Sequence, residues 1–419
     1  MPFSSSLGAC SIERGTSDRV TPMTATVLRR PVSISSKMRR YLALEDFERE
    51  ARRRLPRMIY GFIAGAAETN AALQNNRNSF ERISLLPRVL RNVANRSTKT
   101  ALFGKDYAAP FGIAPMGAAA LCAYRGDLAL ARAAADSQVP MIVSASSLIR
   151  LEEICEAAPG AWFQAYLPGD PERIAPALNR VAAAGFGTLV VTTDVPVPAN
   201  RENNVRNGFQ LPVVLTPQVI ADTASHPVWL LQTLLQTLLR HGMPHFENME
   251  ATRGPPVFSR NLARNASMRD QLNWEHVALM RRLWKGPMLL KGILAPEDAK
   301  LAREHRIDGL IVSNHGGRQL DYAAAPLKVL PDIADQAGEM VVMIDGGIRR
   351  GSDVLKALAL GARFVFVGRP FLFAAAVGGE NAVRRAIALL AGEVDRNMAL
   401  LGITSLADIS SDLLHRTWG

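Results

Sequence analysis

The amino-acid sequence predicts a (β/α)8 TIM barrel of the α/β class, with a helical N-terminal segment and a long insertion after the fourth strand. Eight short apolar runs carry this expectation, at residues 111–115, 141–145, 162–166, 188–194, 288–292, 310–314, 341–346 and 364–368. Most lack polar alternation, as parallel strands buried on both faces do. Helical patterns follow nearly every run, including 127–136, 171–184, 296–304 and 353–360. Eight strand–helix units in series favour a closed barrel, with an open doubly wound sheet as the alternative on pattern alone.

The remaining elements follow in chain order. Residues 1–37, rich in Ser, Thr and Arg and without helical or strand period, read as a disordered basic extension. Two other readings stand: sequence upstream of a true start at Met23 or Met38, and a mitochondrial-type presequence. Residues 38–419 form one catalytic domain in this reading. Residues 42–80 are helical, with Leu55-Pro56 as a stop and restart. About 203–272 is the insertion, too long for an ordinary barrel loop. Within it, Trp229 to Arg240 sets leucines on one helical stripe. That stripe fits a lid helix packed on the barrel, or a monotopic helix touching a membrane or redox partner.

Composition narrows the function classes. An apolar content of 48% allows a large core, and 6% aromatics suits packed helices and buried strands. The net charge of +11 is partly local to residues 1–40, and no aromatic-interleaved basic stripe exists, so nucleic acid is not expected as a partner. Cys10, Cys122 and Cys155 form no CxxC pair, which implies a reducing compartment. No apolar run reaches the roughly 20 residues that span a bilayer, and no secretory h-region is present. The expected location is cytoplasmic, with a peripheral position on the inner membrane as the variant that the leucine stripe suggests. No metal is expected.

Active groups of such barrels stand at the C-terminal ends of the strands. Those ends carry Pro115-Met116-Gly117, Ser144, Gln164 with Tyr166, and Thr192 with Asp194 and the following Arg201. They continue with Lys291, Ser313 to Arg318, Asp345 to Arg349, and Gly368-Arg369. Ionisable groups near a core are costly unless used or paired, so their convergence on one end points to a site. The loops after strands seven and eight are placed to bind phosphate through glycine amides and a helix N-terminus, with Arg349 and Arg369 adding charge. His315, one of seven histidines, lies between a strand end and Gly316-Gly317. Beside Asp194 it makes a plausible general base, and Arg318 can grip a carboxylate bidentately.

The string Ser313-Asn314-His315-Gly316-Gly317-Arg318-Gln319-Leu320-Asp321 resembles the signature of the FMN-dependent α-hydroxy-acid-oxidising enzymes. The resemblance runs from about Tyr41 to Ile409 and includes Leu55 to Tyr60 and Lys356 to Ala362. It implies FMN as cofactor and an L-2-hydroxy acid, lactate-like or mandelate-like, as substrate. It places Met116, Gly117, Ser144, Gln164, Thr192 and Ser313 around the flavin. Lys291 falls at the pyrimidine edge, and Asp345, Gly347, Arg349, Gly368 and Arg369 hold the ribityl and phosphate. His315 becomes the base with Asp194 behind it, Arg318 and Arg201 meet the substrate carboxylate, and Tyr166 meets the substrate oxygen.

One position departs from the family. Phe62 stands where a tyrosine usually helps bind the carboxylate, which implies weaker binding or a differently shaped substrate. Gly117, where family oxidases carry alanine, and the segment from His226 to Met249 favour a dehydrogenase that passes electrons to a quinone or cytochrome. The alternatives are an oxidase using oxygen and a flavin-binding protein without this reaction; barrels acting on isoprenoid diphosphates lack the His315–Arg318 arrangement. A homotetramer is implied by the resemblance only.

Overall fold

A computed structural model describes residues 36–209, 214–257, 259 and 268–416. The expectation for residues 1–35 falls outside them; Ser36–Arg39 forms a helical turn.

Eight parallel strands form the barrel: β1 Phe111–Ile113, β2 Ile142–Ser144, β3 Trp162–Ala165, β4 Leu189–Thr192, β5 Met288–Ile293, β6 Gly309–Val312, β7 Val341–Asp345 and β8 Phe364–Val367. Each falls within or overlaps one of the eight apolar runs. Each strand pairs with its sequence neighbours, β8 pairs with β1, and a parallel bridge from Ile113 to Met141 joins β1 to the approach to β2. That last contact closes the ring, which removes the open-sheet alternative.

Helices coat the outside. Gly126–Asp136, Pro171–Ala183, Pro296–Glu304 and Gly351–Ala359 lie where periodicity placed them, to within two residues at each end. Proline at N1 starts two of these helices, at Pro171 and Pro296, where its missing N–H costs nothing. Leu55-Pro56 breaks the N-terminal segment into Leu44–Arg54 and Arg57–Ala64, as expected from a residue that cannot continue a helix before proline. The last helix, Arg369–Leu401, is broken at Gly378 and Gly379, and Gly379 adopts a left-handed φ of 57°.

Apolar residues fill the lower half of the barrel interior. Ile142, Trp162, Val190, Leu289, Ile311 and Met343 meet there with Phe364 and Phe366. The hairpin of Thr100–Leu102 and Lys105–Tyr107 packs Leu102 and Tyr107 onto this cluster and plugs the end from which the strands start. The cleft lies at the opposite end, where the strands finish.

The insertion between β4 and β5 contains the helices Glu202–Arg206 and Pro217–Ala224. A helical rod then spans 227–241, its middle piece Leu230–Leu235 in π geometry. Trp229 and Thr233 face inward, and the Trp229 indole donates to Leu121 O at 2.8 Å. Leu231, Leu235, Leu238 and Leu239 are exposed, Leu239 at 77%. Leu231, Leu235, Leu238 and Leu239 are thus turned to solvent, while Leu234 packs on the core beside Trp229, so the rod is docked on the barrel and still presents leucines outward.

Candidate active site

Alternate residues of a strand face the barrel axis. Two positions beyond the apolar layer, the same strands present Ser144, Gln164, Thr192, Lys291 and Asp345, joined by Ser313 just past β6; all are buried. The interior thus switches from apolar to polar within one side-chain repeat. A buried polar layer is costly unless paired, and pairing is extensive. Lys291 Nζ donates to Ser313 Oγ at 3.0 Å and lies 3.3 Å from Asp345 Oδ2, and Ser313 donates to Asp345 Oδ1 at 2.6 Å. Ser144 donates to Gln164 Oε1 at 3.0 Å.

Beyond β6 the chain makes an abrupt loop. His315, Gly316 and Gly317 all have φ between 58° and 77°, a run that glycine accommodates without strain and His315 does not. Several anchors hold it. His315 N donates to Ser313 Oγ at 3.0 Å, and Asn314 and Asn76 exchange amide hydrogen bonds at 2.7 Å. A Cβ on Gly317 would lie 2.6 Å from Leu73 N, so this loop packs directly on the N-terminal helix Ala71–Glu81. Asp321 accepts from Thr69 N at 2.9 Å and Ala72 N at 2.8 Å, which makes the last residue of the string an anchor for that helix's first turn.

The loop presents the His315 imidazole between two partners. Nδ1 lies 2.9 Å from Asp194 Oδ1, and Nε2 lies 3.2 Å from the Tyr166 hydroxyl. Burial lowers the His315 pKa below its usual 6.5, outweighing the opposing pull of Asp194, so the ring is neutral at neutral pH. Burial pushes the Asp194 carboxyl upward, but His315 and Lys291 outweigh it and hold the group below its ordinary value. Asp194 is therefore an ionised partner that fixes the proton on Nδ1 and leaves Nε2 free to accept.

A cleft of about 870 Å³, counting the space open at its mouth, lies above this layer. Lys291, Arg318, Arg349 and Arg369 line it against a single lining carboxylate, Asp345. Burial depresses all three guanidiniums; Arg318 is pushed well down, with Arg201 and Arg369 adding repulsion, and Arg369 falls to about 10. Buried cations that repel one another call for anionic ligands. Arg318 Nη1 donates to Phe62 O and Gly65 O, both at 2.7 Å, and its guanidinium lies 5.1 Å from the Phe62 ring centre. Phe62 also stacks on Phe209 at 4.4 Å.

Residues 51–416 match the FMN-dependent dehydrogenase family. The chain belongs to that family. It is 36% identical to (S)-mandelate dehydrogenase of Pseudomonas putida, over 89% of this chain and 93% of that protein. It is 38% identical to L-lactate dehydrogenase of Pseudomonas paraeruginosa, over 90% and 99% respectively. A crystal structure described as that of the monotopic membrane protein (S)-mandelate dehydrogenase superposes with a TM-score of 0.82 at 35% identity, covering 90% of this chain and 99% of the other.

The residues present fit FMN. Thr192 Oγ1 on the cleft wall and Gln164 Nε2 just behind it are buried without a hydrogen-bond partner among the described residues, as groups awaiting a polar ring edge would be. Left-handed Gly346 and Gly347 beside Arg349, and Gly368 at the start of the helix from Arg369, form the anion-binding corner typical of barrels. A Cβ on Gly347 would collide with the Asn76 backbone.

Of the residues singled out in the sequence, Met116, Gly117, Tyr166, Thr192, Lys291, His315, Arg318, Asp345, Gly347, Arg349, Gly368 and Arg369 line the cleft. Ser144, Gln164, Ser313 and Asp194 sit directly behind them. Three of these residues also make contacts within the protein. Asp345 is the counter-ion of Lys291. Arg369 donates to Ile63 O, Gly316 O and Gly65 O, bracing the histidine loop from behind. Arg201 lies off the cleft wall and donates to Arg318 O at 3.1 Å and Gln319 Oε1 at 2.7 Å. Sequence reasoning missed Arg269, whose guanidinium lies 4.7 Å from the Tyr166 ring centre. No motif surrounds it, and only the return path of the insertion brings it there.

Proposed function

We propose that this chain oxidises an L-2-hydroxy acid to the 2-oxo acid with bound FMN. One observation carries the assignment of roles: a neutral His315 held between Asp194 and Tyr166, with its Nε2 toward a cleft that also receives Arg318. FMN, when bound, would take up the two electrons and one of the two protons that leave the substrate, the other proton going to His315. Gln164, Thr192 and Lys291 would hold its ring, and Gly347, Arg349, Gly368 and Arg369 its phosphate end. Arg318 pairs with the substrate carboxylate, through nitrogens other than the Nη1 engaged by Phe62 O and Gly65 O. Tyr166 donates to the substrate oxygen, and His315 Nε2 accepts the substrate proton. Asp194 stabilises the imidazolium so formed.

Two observations favour a dehydrogenase with a membrane-borne quinone or a cytochrome as acceptor. Among the described residues, no helix is long and apolar enough to cross a membrane. Leu231, Leu235, Leu238, Leu239, Ile220 and Val228 nevertheless project from the insertion, an apolar face suited to lie in the plane of a bilayer surface. Gly117 is the second: a Cβ there would lie 2.8 Å from that of Ser146, so alanine, the residue of family oxidases, does not fit without displacement. The test is anaerobic addition of short, branched and aromatic L-2-hydroxy acids while flavin absorbance is followed. Bleaching by at least one is expected; a flavin that stays oxidised with all of them overturns the reading. Oxygen uptake matching turnover would instead make the chain an oxidase.

A further inference from the structure

The insertion rejoins the barrel through the 3-10 turn Arg269–Gln271, just before the helix Trp274–Leu283. This turn is clamped against the loop that leaves β3. Gly169 N donates to Met268 O at 2.7 Å, and a Cβ on Gly169 would collide with the Gln271 backbone. The same β3 loop begins with Tyr166, and the clamp sets the Arg269 guanidinium over its ring at 4.7 Å. The Tyr166 hydroxyl in turn lies 3.2 Å from His315 Nε2, with the two rings stacked at 28°. Among the described residues Arg269 is not part of the cleft lining, and its described contact toward the reacting atoms is the one with Tyr166.

We infer that Arg269 is a positioning residue of the reaction: its guanidinium holds the Tyr166 ring in register with His315 and strengthens the phenol as a hydrogen-bond donor to the substrate oxygen. A cation over the π face draws density from the ring, and a desolvated cation–π contact is among the stronger of its kind. Burial raises the Tyr166 pKa; Lys291, Arg269 and Arg201 all oppose that rise, Asp194 adds to it, and Arg269 is the one of these cations seated on the ring face. The contact also ties the insertion, and the apolar face it carries, to a group that handles the substrate. The inference rests on the proposed role of Tyr166.

The test is a double-mutant cycle on the FMN-loaded full chain. Arg269→Met keeps the stem and removes the charge. Expected are normal flavin content and thermal midpoint, kcat lower by about five- to thirty-fold, the span to which such a contact converts, and KM changed by less than about two-fold. The alkaline limb of the kcat profile should move to higher pH. Arg269→Lys, which retains a cation, should recover most of the rate. In a Tyr166→Phe background, Arg269→Met should cost less than about two-fold, because the phenol it acts on is gone. Equal losses in both backgrounds, or an unmoved alkaline limb, overturn the inference. If Tyr166→Phe alone leaves turnover intact, the proposed role of Tyr166 fails first. If Arg269→Met sheds its flavin, the Lys variant decides: loss of rate there, with flavin retained and the limb unmoved, also overturns it.

Discussion

Replacing Asp194 by Asn isolates the charge behind the base. The amide keeps the volume and can still accept the Nδ1 proton over the 2.9 Å contact, so the ground state changes little. What is lost is the carboxylate facing an imidazolium as the proton arrives. A hydrogen bond to a charged partner is worth about 1.5–3 kcal/mol against about 0.5–1.5 for a neutral one. Coulomb attraction near 4 Å at an effective dielectric of about 20 sets an upper bound of about 4 kcal/mol. A loss of about 2–4 kcal/mol in the transition state slows the step by roughly 30- to 1,000-fold. Anaerobic stopped-flow bleaching of the flavin by substrate measures that step. The pH dependence supplies a second check. Native activity needs neutral His315, so it falls as pH drops through a pKa below 6.5. Asp194 raises that pKa, so its removal moves the acid limb further down. A variant with full flavin content, a bleaching rate within about three-fold of native and an unshifted limb would refute the pairing.

Three further outcomes follow from the same geometry. Lys291→Met leaves the buried Asp345 without its cation, at a cost of about 3–5 kcal/mol; a clearly lower melting temperature and weakened FMN retention in equilibrium dialysis are expected, and native values would count against the pair. Phe62→Tyr returns a hydroxyl to the cleft and should lower KM for the hydroxy acid by roughly two- to ten-fold through one added hydrogen bond, unless KM stays unchanged, in which case the carboxylate does not lie beside that ring. Leu235→Glu with Leu239→Glu places charge on the exposed stripe; flotation with anionic vesicles should fall several-fold while turnover with a soluble dye stays native, and undiminished flotation would remove the insertion from membrane contact.

Most of the barrel was legible because its signals are local. Two-sided burial makes each strand a short apolar run, and Leu55-Pro56 breaks a helix wherever it occurs. Reading only the strand ends was enough to bring His315, Asp194, Lys291 and Tyr166 to one place, since closure of the ring does the rest. What stayed hidden depends on tertiary path. Asp321 reads as part of a catalytic string, yet it binds backbone amides of a helix some 250 positions earlier. Arg269 sits in a stretch without periodicity and reaches Tyr166 only because the insertion returns against Gly169. The leucine stripe was visible as a period, but which of its members face outward was not, because that depends on how the rod docks through Trp229 and Thr233.

Charge accounts for why such a cleft is worth building despite its cost. Arg318, Arg349 and Arg369 are each destabilised by burial, and Asp345, already committed to Lys291, neutralises none of them fully. A fold that kept these groups empty-handed would spend stability on mutual repulsion. A phosphate at the Gly347–Arg369 corner and a carboxylate at Arg318, placed as proposed, would relieve it through charge-assisted bonds. Phe62 sharpens the same point. Its ring lies against the Arg318 guanidinium and also stacks on Phe209, so part of the cation is shielded from water. With the carboxylate placed as proposed, the missing hydroxyl would remove one hydrogen bond, and specificity for the acid end of the substrate would rest on Arg318 more heavily than where a tyrosine shares it.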